Sequence, residues 1–311
     1  MPTEQATLLI ASIGRPSLLA TLRGACLGSQ SRLAEVLLLD DSPGTISGGE
    51  IRDCTGGVPV RILRRGPGVV ARNLLLDEAR TDVVCLTDDD CLPDPRWVVE
   101  LTSYLSSQPG VAAAFGRVVP TPRPGARIRE TVIDGVGTVA WGECGTGDDL
   151  LFCPAVSAPS WQPGIASLPA SVPWAIVGSS NNLGIRRSRL LAGRPAFLPS
   201  LGPGSPAGSG EDTELGYALM AAGRPVAYVP SALVLHDSWL DVQQATRRRR
   251  SYFRGNTEAL AFHALRGDTR AAGLLMSYWA HFCAVNGFGG PREVLEWAYG
   301  TATSGPAVMP A

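Results

Sequence analysis

Three carboxylates stand in a row at Asp88, Asp89 and Asp90, within Leu86-Thr87-Asp88-Asp89-Asp90-Cys91-Leu92-Pro93. Acids packed this closely repel one another unless a cation neutralises them. Hard divalent ions such as Mg²⁺ or Mn²⁺ prefer carboxylate oxygens and are often shared with substrate phosphates. Along an extended strand end Asp88 and Asp90 share a face and Asp89 points away. A solvated acidic turn that caps the helix after Pro95 fits the same residues. A second acidic group, Glu211-Asp212, follows a Gly/Ser/Pro segment and opens a helix. Acids there are favoured by the helix dipole, and they can equally serve as a general base. Of three histidines, His236 ends an apolar run and precedes Asp237, which suits a metal ligand as well as a structural imidazole. His263 and His281 sit among apolar residues of helical spacing and read as packing residues.

Arg247-Arg248-Arg249-Arg250, with Arg254, is a dense basic patch in a chain whose formal net charge is −1. Arginine forks suit the oxygens of a diphosphate. A solvated helix face, or contact with a membrane surface or an acidic partner, suits them too. Arg72-Asn73 can reach the same crevice from a helix. No GxGxxG follows the first apolar run and no GxxxxGK[ST] occurs, which disfavours a dinucleotide fold and a P-loop.

These groups need elements to hold them. Apolar runs at Thr7–Ser12, Val36–Leu39, Val58–Leu63 and Asp82–Leu86 alternate with helical patterns at Leu18–Cys26 and Val69–Ala79. Such alternation predicts a mostly parallel sheet covered on both faces, with ligands beyond the carboxyl ends of its strands. Asp40-Asp41 and Asp88-Asp89-Asp90 then face one crevice. Further on, a helix is predicted through Trp97, Leu101 and Leu105, and a strand over Val111–Val119. Residues 120–173 read as loops with short strands, Pro199–Gly210 as a flexible loop, and Val226–Val229 with Ala232–Leu235 as two strands. Residues 240–299 read as helices.

At 311 residues the chain can bury a sizeable core, and 45% hydrophobic with 18% charged residues is a globular balance. The near-neutral charge gives no basis for nucleic-acid binding. Seven scattered cysteines without a CxxC pair indicate neither a disulfide framework nor a zinc cage. The amino terminus lacks the basic start of a signal peptide, and no apolar run approaches the roughly 20 residues of a membrane span. A cytoplasmic protein without a membrane span is the expectation, with peripheral membrane contact and either a monomer or a homodimer left open.

In order along the chain, these pieces resemble the family-two glycosyltransferases with the GT-A fold. Ala11-Ser12-Ile13-Gly14-Arg15-Pro16 stands where that family has P-T-Y-N-R, and Leu39-Asp40-Asp41-Ser42-Pro43 looks like its V-D-D-G-S. Gly68-Val69-Val70-Ala71-Arg72-Asn73 is similar to its Gly-x-x-x-A-R-N helix, Asp88 to Pro93 to its D-x-D-x-x-P, and Gly210-Glu211-Asp212 to its E-D motif. The resemblance implies an α/β GT-A fold: a Rossmann-like, mostly parallel sheet flanked by helices, with a C-terminal helical extension. It implies a catalytic domain over 1–238, with a nucleotide-binding half to about 119 and an acceptor-binding half beyond it, and a helical subdomain over 239–311. The implied activity is metal-dependent, inverting transfer of a sugar from a nucleotide-sugar donor, UDP-linked by family habit, to a small-molecule, saccharide or carrier-bound acceptor. The alternatives are a sugar-nucleotide nucleotidyltransferase and a non-catalytic module of the same fold. By the resemblance Asp212 is the catalytic base with Glu211 beside it. Asp41 holds the nucleobase with Ser12 and Arg15 near it, and Arg72 lines the nucleotide pocket. Asp88 contacts ribose or metal, Asp90 holds Mg²⁺ or Mn²⁺, and His236 is an added ligand. Asp89 leaves open which two acids of the triplet are used. Arg250 and Arg254 belong to a basic segment that closes over the diphosphate.

Overall fold

A computed structural model describes residues 4–42, 48–64, 69–133, 137–157 and 178–300. Its central sheet begins with β1 (Ala6–Ser12), β2 (Leu33–Asp40), β3 (Val60–Leu63) and β4 (Val83–Asp88), paired in parallel in the order β3-β2-β1-β4. The short β10 (Leu183–Arg186) lies antiparallel between β4 and β6 (Ala113–Pro120). Next come β11 (Val226–His236), parallel to β6, and the antiparallel edge strand β5 (Cys91–Pro93). Because β10 opposes both neighbours, β1, β2, β4, β6 and β11 all point the same way. Ser12, Asp40, Asp88 and His236 therefore end at one edge of the sheet.

The apolar runs are continuous because both faces are covered. Leu9, Leu37, Leu39, Val84 and Leu86 pack into one core, while Leu8, Ile10, Val36, Leu38, Val83 and Cys85 pack into the other. Helices α1 (Leu18–Cys26), α2 (Gly48–Thr55) and α4 (Trp97–Ser107) cover the second face. Helices α3 (Val69–Glu78) and α5 (Glu211–Ala221) cover the first, and α6 (Val242–Ala264), α7 (Thr269–Asn286) and α8 (Pro291–Tyr299) extend its core through Phe253, Tyr278, Phe282 and Trp297. Among the described residues no helix is long and apolar enough to cross a membrane.

Three local expectations need correction. Residues 120–173 are more regular than read: β7 (Arg127–Ile133), β8 (Gly137–Cys144) and β9 (Leu151–Ser157) pair antiparallel and are joined by β12 (Leu240–Asp241) in a second sheet. Small residues and glycines such as Gly142, against which Trp239 packs, thin the apolar alternation that marks a strand. The stretch 158–177, including Trp174, lies outside the described residues, as do Pro43, Gly44 and Gly68 of the quoted motifs. The two strands expected around Pro230 form one strand with a register shift between Val229 and Leu233. Finally, the segment 199–210 is tied down rather than loose. Gly202 N–H donates to Ser209 O at 3.1 Å, Ser209 Oγ donates to the Ser251 carbonyl at 2.8 Å, and Leu201 and Ala207 are buried against Ala259.

Candidate active site

The carboxyl edge of the sheet gathers both acidic motifs around Arg72. This side chain leaves α3 and is 11% exposed; Nη2 donates to Asp88 Oδ1 at 3.0 Å and Nη1 to Glu211 Oε1 at 2.6 Å. Burial disfavours its charge, but Asp88 and Glu211 outweigh that and hold it more firmly protonated than a free arginine. Burial likewise opposes ionisation of Asp88, yet Arg72, helped by His236 and Arg15, keeps its carboxyl below the usual range. Glu211 is buried and committed to this ion pair. It positions Arg72, and its neighbour in sequence stands in a different setting.

That neighbour is Asp212. Its carboxylate accepts the Ser180 N–H at 3.2 Å and the Thr213 N–H at 2.9 Å, and it is half-buried in the crevice. Desolvation first, and then repulsion from Glu211, push its pKa up to about 7. A carboxylate tuned to that value is suited to accept a proton near neutrality. Glycine makes the position: Gly210, the residue before α5, has φ +95°, and a Cβ there would overlap the Gly255 carbonyl of α6. Close approach of these two glycines seats the Glu211-Asp212 turn against α6.

The acid triplet divides its duties. Asp88 ends β4, and Asp89 and Asp90 form a turn before β5, so the alternation expected for an extended strand is not the cause of their directions. Asp89 is 2% exposed and turns inward, accepting Ser12 Oγ at 2.8 Å, the Ile13 N–H at 3.1 Å and Arg15 Nη1 at 2.5 Å. These bonds let Asp89 hold the loop after β1 in place. Arg15 also lies 3.2 Å from Asp90. Asp90 faces the crevice. Burial and the nearby Asp88 charge raise its pKa despite His236 and Arg15.

His236 Nε2 lies 3.7 Å from Asp90 Oδ1, because β11 pairs with β5 and sets His236 opposite Cys91. Asp90, Cys91 and His236 offer ligand atoms within 4.8 Å of one another. Cys91 is a poor member for a hard ion: burial holds its thiol protonated, well above the ordinary range. A carboxylate whose ionisation is discouraged and an imidazole at this spacing fit a divalent cation, which would favour the charged form. Asp88, expected as a further ligand, lies outside that cluster and faces Arg72.

At the β2 end Asp41 N–H donates to Ser12 O at 2.8 Å, and burial with the adjacent Asp40 raises the Asp41 carboxyl. Asp40 shapes this turn by accepting Ser42 N–H at 3.0 Å and Arg64 Nη2 at 3.2 Å.

The basic patch is not placed as expected. Arg254 donates to the Ala298 carbonyl at 3.0 Å and lies over Tyr299, and Arg250 lies 5.5 Å from the centre of the Trp297 ring. Both pack against α8. On another face of α6, Arg248 stacks 5.9 Å over Tyr252, whose hydroxyl lies in the field of Asp212 and Glu211. Helical spacing separates Arg248 from Arg250 by about 200° of rotation. That spacing was readable in the sequence, but which face meets α8 was not. Tyr252 and the Ser180 N–H carried no motif.

Residues 14–140 match the model of Glycosyl transferase family 2. No curated protein matches the chain. Among solved structures, the mannosyltransferase PcManGT from Pyrobaculum calidifontis, in complex with GDP-Man and Mn²⁺, superposes with a TM-score of 0.53 at 14% identity, over 96% of this chain and 80% of that one. S. aureus TarS 1-349 in complex with UDP-GlcNAc superposes with a TM-score of 0.56 at 10% identity, over 94% and 78%. At such identities the likeness is one of fold, and the fold they share with this chain is the GT-A arrangement.

Proposed function

We propose that the chain is a family 2 glycosyltransferase that transfers the sugar of a nucleotide diphosphate donor with inversion, using Asp212 as general base. The observation that carries this reading is the pair of unlike carboxylates beside Arg72. Glu211 is bound in an ion pair, whereas Asp212, poised at about 7, is held only by two backbone N–H groups among the described residues.

The donor's diphosphate would lie at the carboxyl edge of β4, with its base toward Asp41 and the exposed Ile13 at the β1 and β2 ends. We read the donor as a UDP-sugar. Asp90 and His236 would hold Mg²⁺ or Mn²⁺, whose charge would offset that of the diphosphate oxygens. Arg15, 41% exposed and anchored on Asp89, adds a cation at the same place. Asp212 takes the proton of the acceptor hydroxyl, the hydroxyl oxygen bonds to the anomeric carbon from the opposite side, and the bond to the diphosphate breaks. Ser180 and Thr213 keep the Asp212 carboxylate oriented throughout. A cytoplasmic location is part of the same proposal.

Screening nucleotide sugars by thermal shift with and without Mn²⁺ tests it, since a ligand at one hundred times its Kd stabilises the native state by about 2.7 kcal/mol. A Mn²⁺-dependent rise with one donor, followed by release of nucleoside diphosphate that Asp212→Asn abolishes, is the expected result. Wild-type turnover by Asp212→Asn would remove the base assignment.

A further inference from the structure

A cavity of about 340 Å³, lined by Leu240, Gln244, Arg247, Arg248 and Ser251, opens at the start of α6. Most arginines bordering the site are neutralised within the chain: Arg15 by Asp89 and Asp90, Arg72 by Asp88 and Glu211. Arg247 and Arg248 differ. Both are exposed, and among the described residues neither forms an ion pair. Arg248 is steadied instead by the Tyr252 ring. Two adjacent guanidinium groups without carboxylate partners, at the mouth of a cavity, match the charge of a phosphate monoester, about −1.5 to −2 at neutral pH.

The cavity is also close to the base. Ser251, one of its lining residues, receives the Ser209 hydroxyl through its carbonyl, and one helical turn further on Gly255 contacts Gly210, the residue before Glu211. Four residues of helix span about 6 Å. Tyr252 bridges the interval, touching Arg248 on one side and lying in the field of Asp212 on the other. We propose that this cavity is the acceptor's anchoring subsite, and that the acceptor carries a phosphate monoester which Arg247 and Arg248 grip while its hydroxyl reaches Asp212. The inference rests on the glycosyl-transfer reading and adds the class of acceptor.

The test uses the full chain at low ionic strength and isothermal titration with glycerol 3-phosphate, alone and with saturating nucleoside diphosphate and Mn²⁺. Phosphate binding that persists beside the bound nucleotide, and that weakens about tenfold or more in the Arg247→Gln/Arg248→Gln variant while nucleotide affinity stays within twofold, is expected. Gln244→Glu provides a second variant that keeps the α6 cap, because Glu can accept the Asp241 N–H as Gln244 does, and it should weaken glycerol 3-phosphate by placing a negative charge in the cavity. Competition between glycerol 3-phosphate and the nucleotide would overturn the proposal, since the arginines would then serve the donor's diphosphate. Equal binding of succinate would overturn the phosphate assignment. Co-sedimentation with phosphatidylcholine vesicles containing phosphatidic acid, lost in the double variant, would support a lipid-borne phosphate; binding of glycerol 3-phosphate alone would support a soluble one. Absence of any nucleotide binding would instead count against the glycosyl-transfer reading itself.

Discussion

Arg72 and Glu211 are 139 residues apart in sequence, and their Nη1 and Oε1 atoms are 2.6 Å apart. Through this contact Asp88 at the end of β4 and Glu211 at the start of α5 share one guanidinium, which ties the two walls of the crevice together. Removing Arg72 leaves Glu211 and Asp88 with uncompensated charge in a buried setting. Arg72→Ala should therefore lower stability by about 3–5 kcal/mol, read from urea unfolding. Arg72→Ala combined with Glu211→Gln should recover part of that loss.

Asp212→Asn separates catalysis from binding. The turnover rate should fall by about 10²–10⁴, the usual contribution of a general base, while the affinity for nucleoside diphosphate is unchanged. Initial rates of nucleoside diphosphate release and titration calorimetry measure the two.

The raised pKa of Asp212 has a stability consequence with a definite sign. The folded state holds this proton up to about pH 7, whereas the unfolded chain releases it near the ordinary aspartate value of 3.8. Asp212 thus costs stability progressively as pH rises between those values, and the cost is complete above them. Asp212→Asn should melt at a higher temperature than the wild type at pH 8, and the difference should vanish toward pH 3. The same ionisation should make wild-type turnover rise with pH through about 7.

His236→Ala tests the cation site. It should abolish the Mn²⁺-dependent part of nucleotide affinity and leave the metal-free part unaltered, which titration with and without EDTA will show. Equal Mn²⁺ dependence in the variant would remove His236 from the ligand set.

Gly210→Ala places a methyl group against the Gly255 carbonyl and forces an L residue to φ +95°. The backbone conformation alone costs about 1–2 kcal/mol. A fall in the unfolding midpoint is expected, with a fall in turnover because the Asp212 turn is carried on the same contact.

Much of this was legible in the chain. Leu8, Leu9 and Ile10 form an unbroken apolar run because adjacent residues enter two different cores, and such runs predict a covered parallel sheet. The acids at the strand tips announced the crevice, since the carboxyl edge is where such sheets bind ligands. The hairpins of 127–157 were not legible, because glycines and small residues erase the period-two signal. Nor was the division within Arg247–Arg254. A run of arginines encircles a helix, and only the packing of α8 decides that Arg250 and Arg254 meet aromatic rings and a backbone carbonyl, while Arg248 meets Tyr252.

The sequence by itself determined the strand–helix alternation, the acidic strand ends and the family likeness, because these depend on neighbours a few residues apart. Which acid of Asp88, Asp89 and Asp90 is buried, and which of Glu211 and Asp212 is ion-paired while the other has its proton affinity raised, were decided only in three dimensions. Proton affinity follows desolvation and the charges within a few ångströms, and at Asp212 those come from α3, α5 and the backbone at Ser180 together.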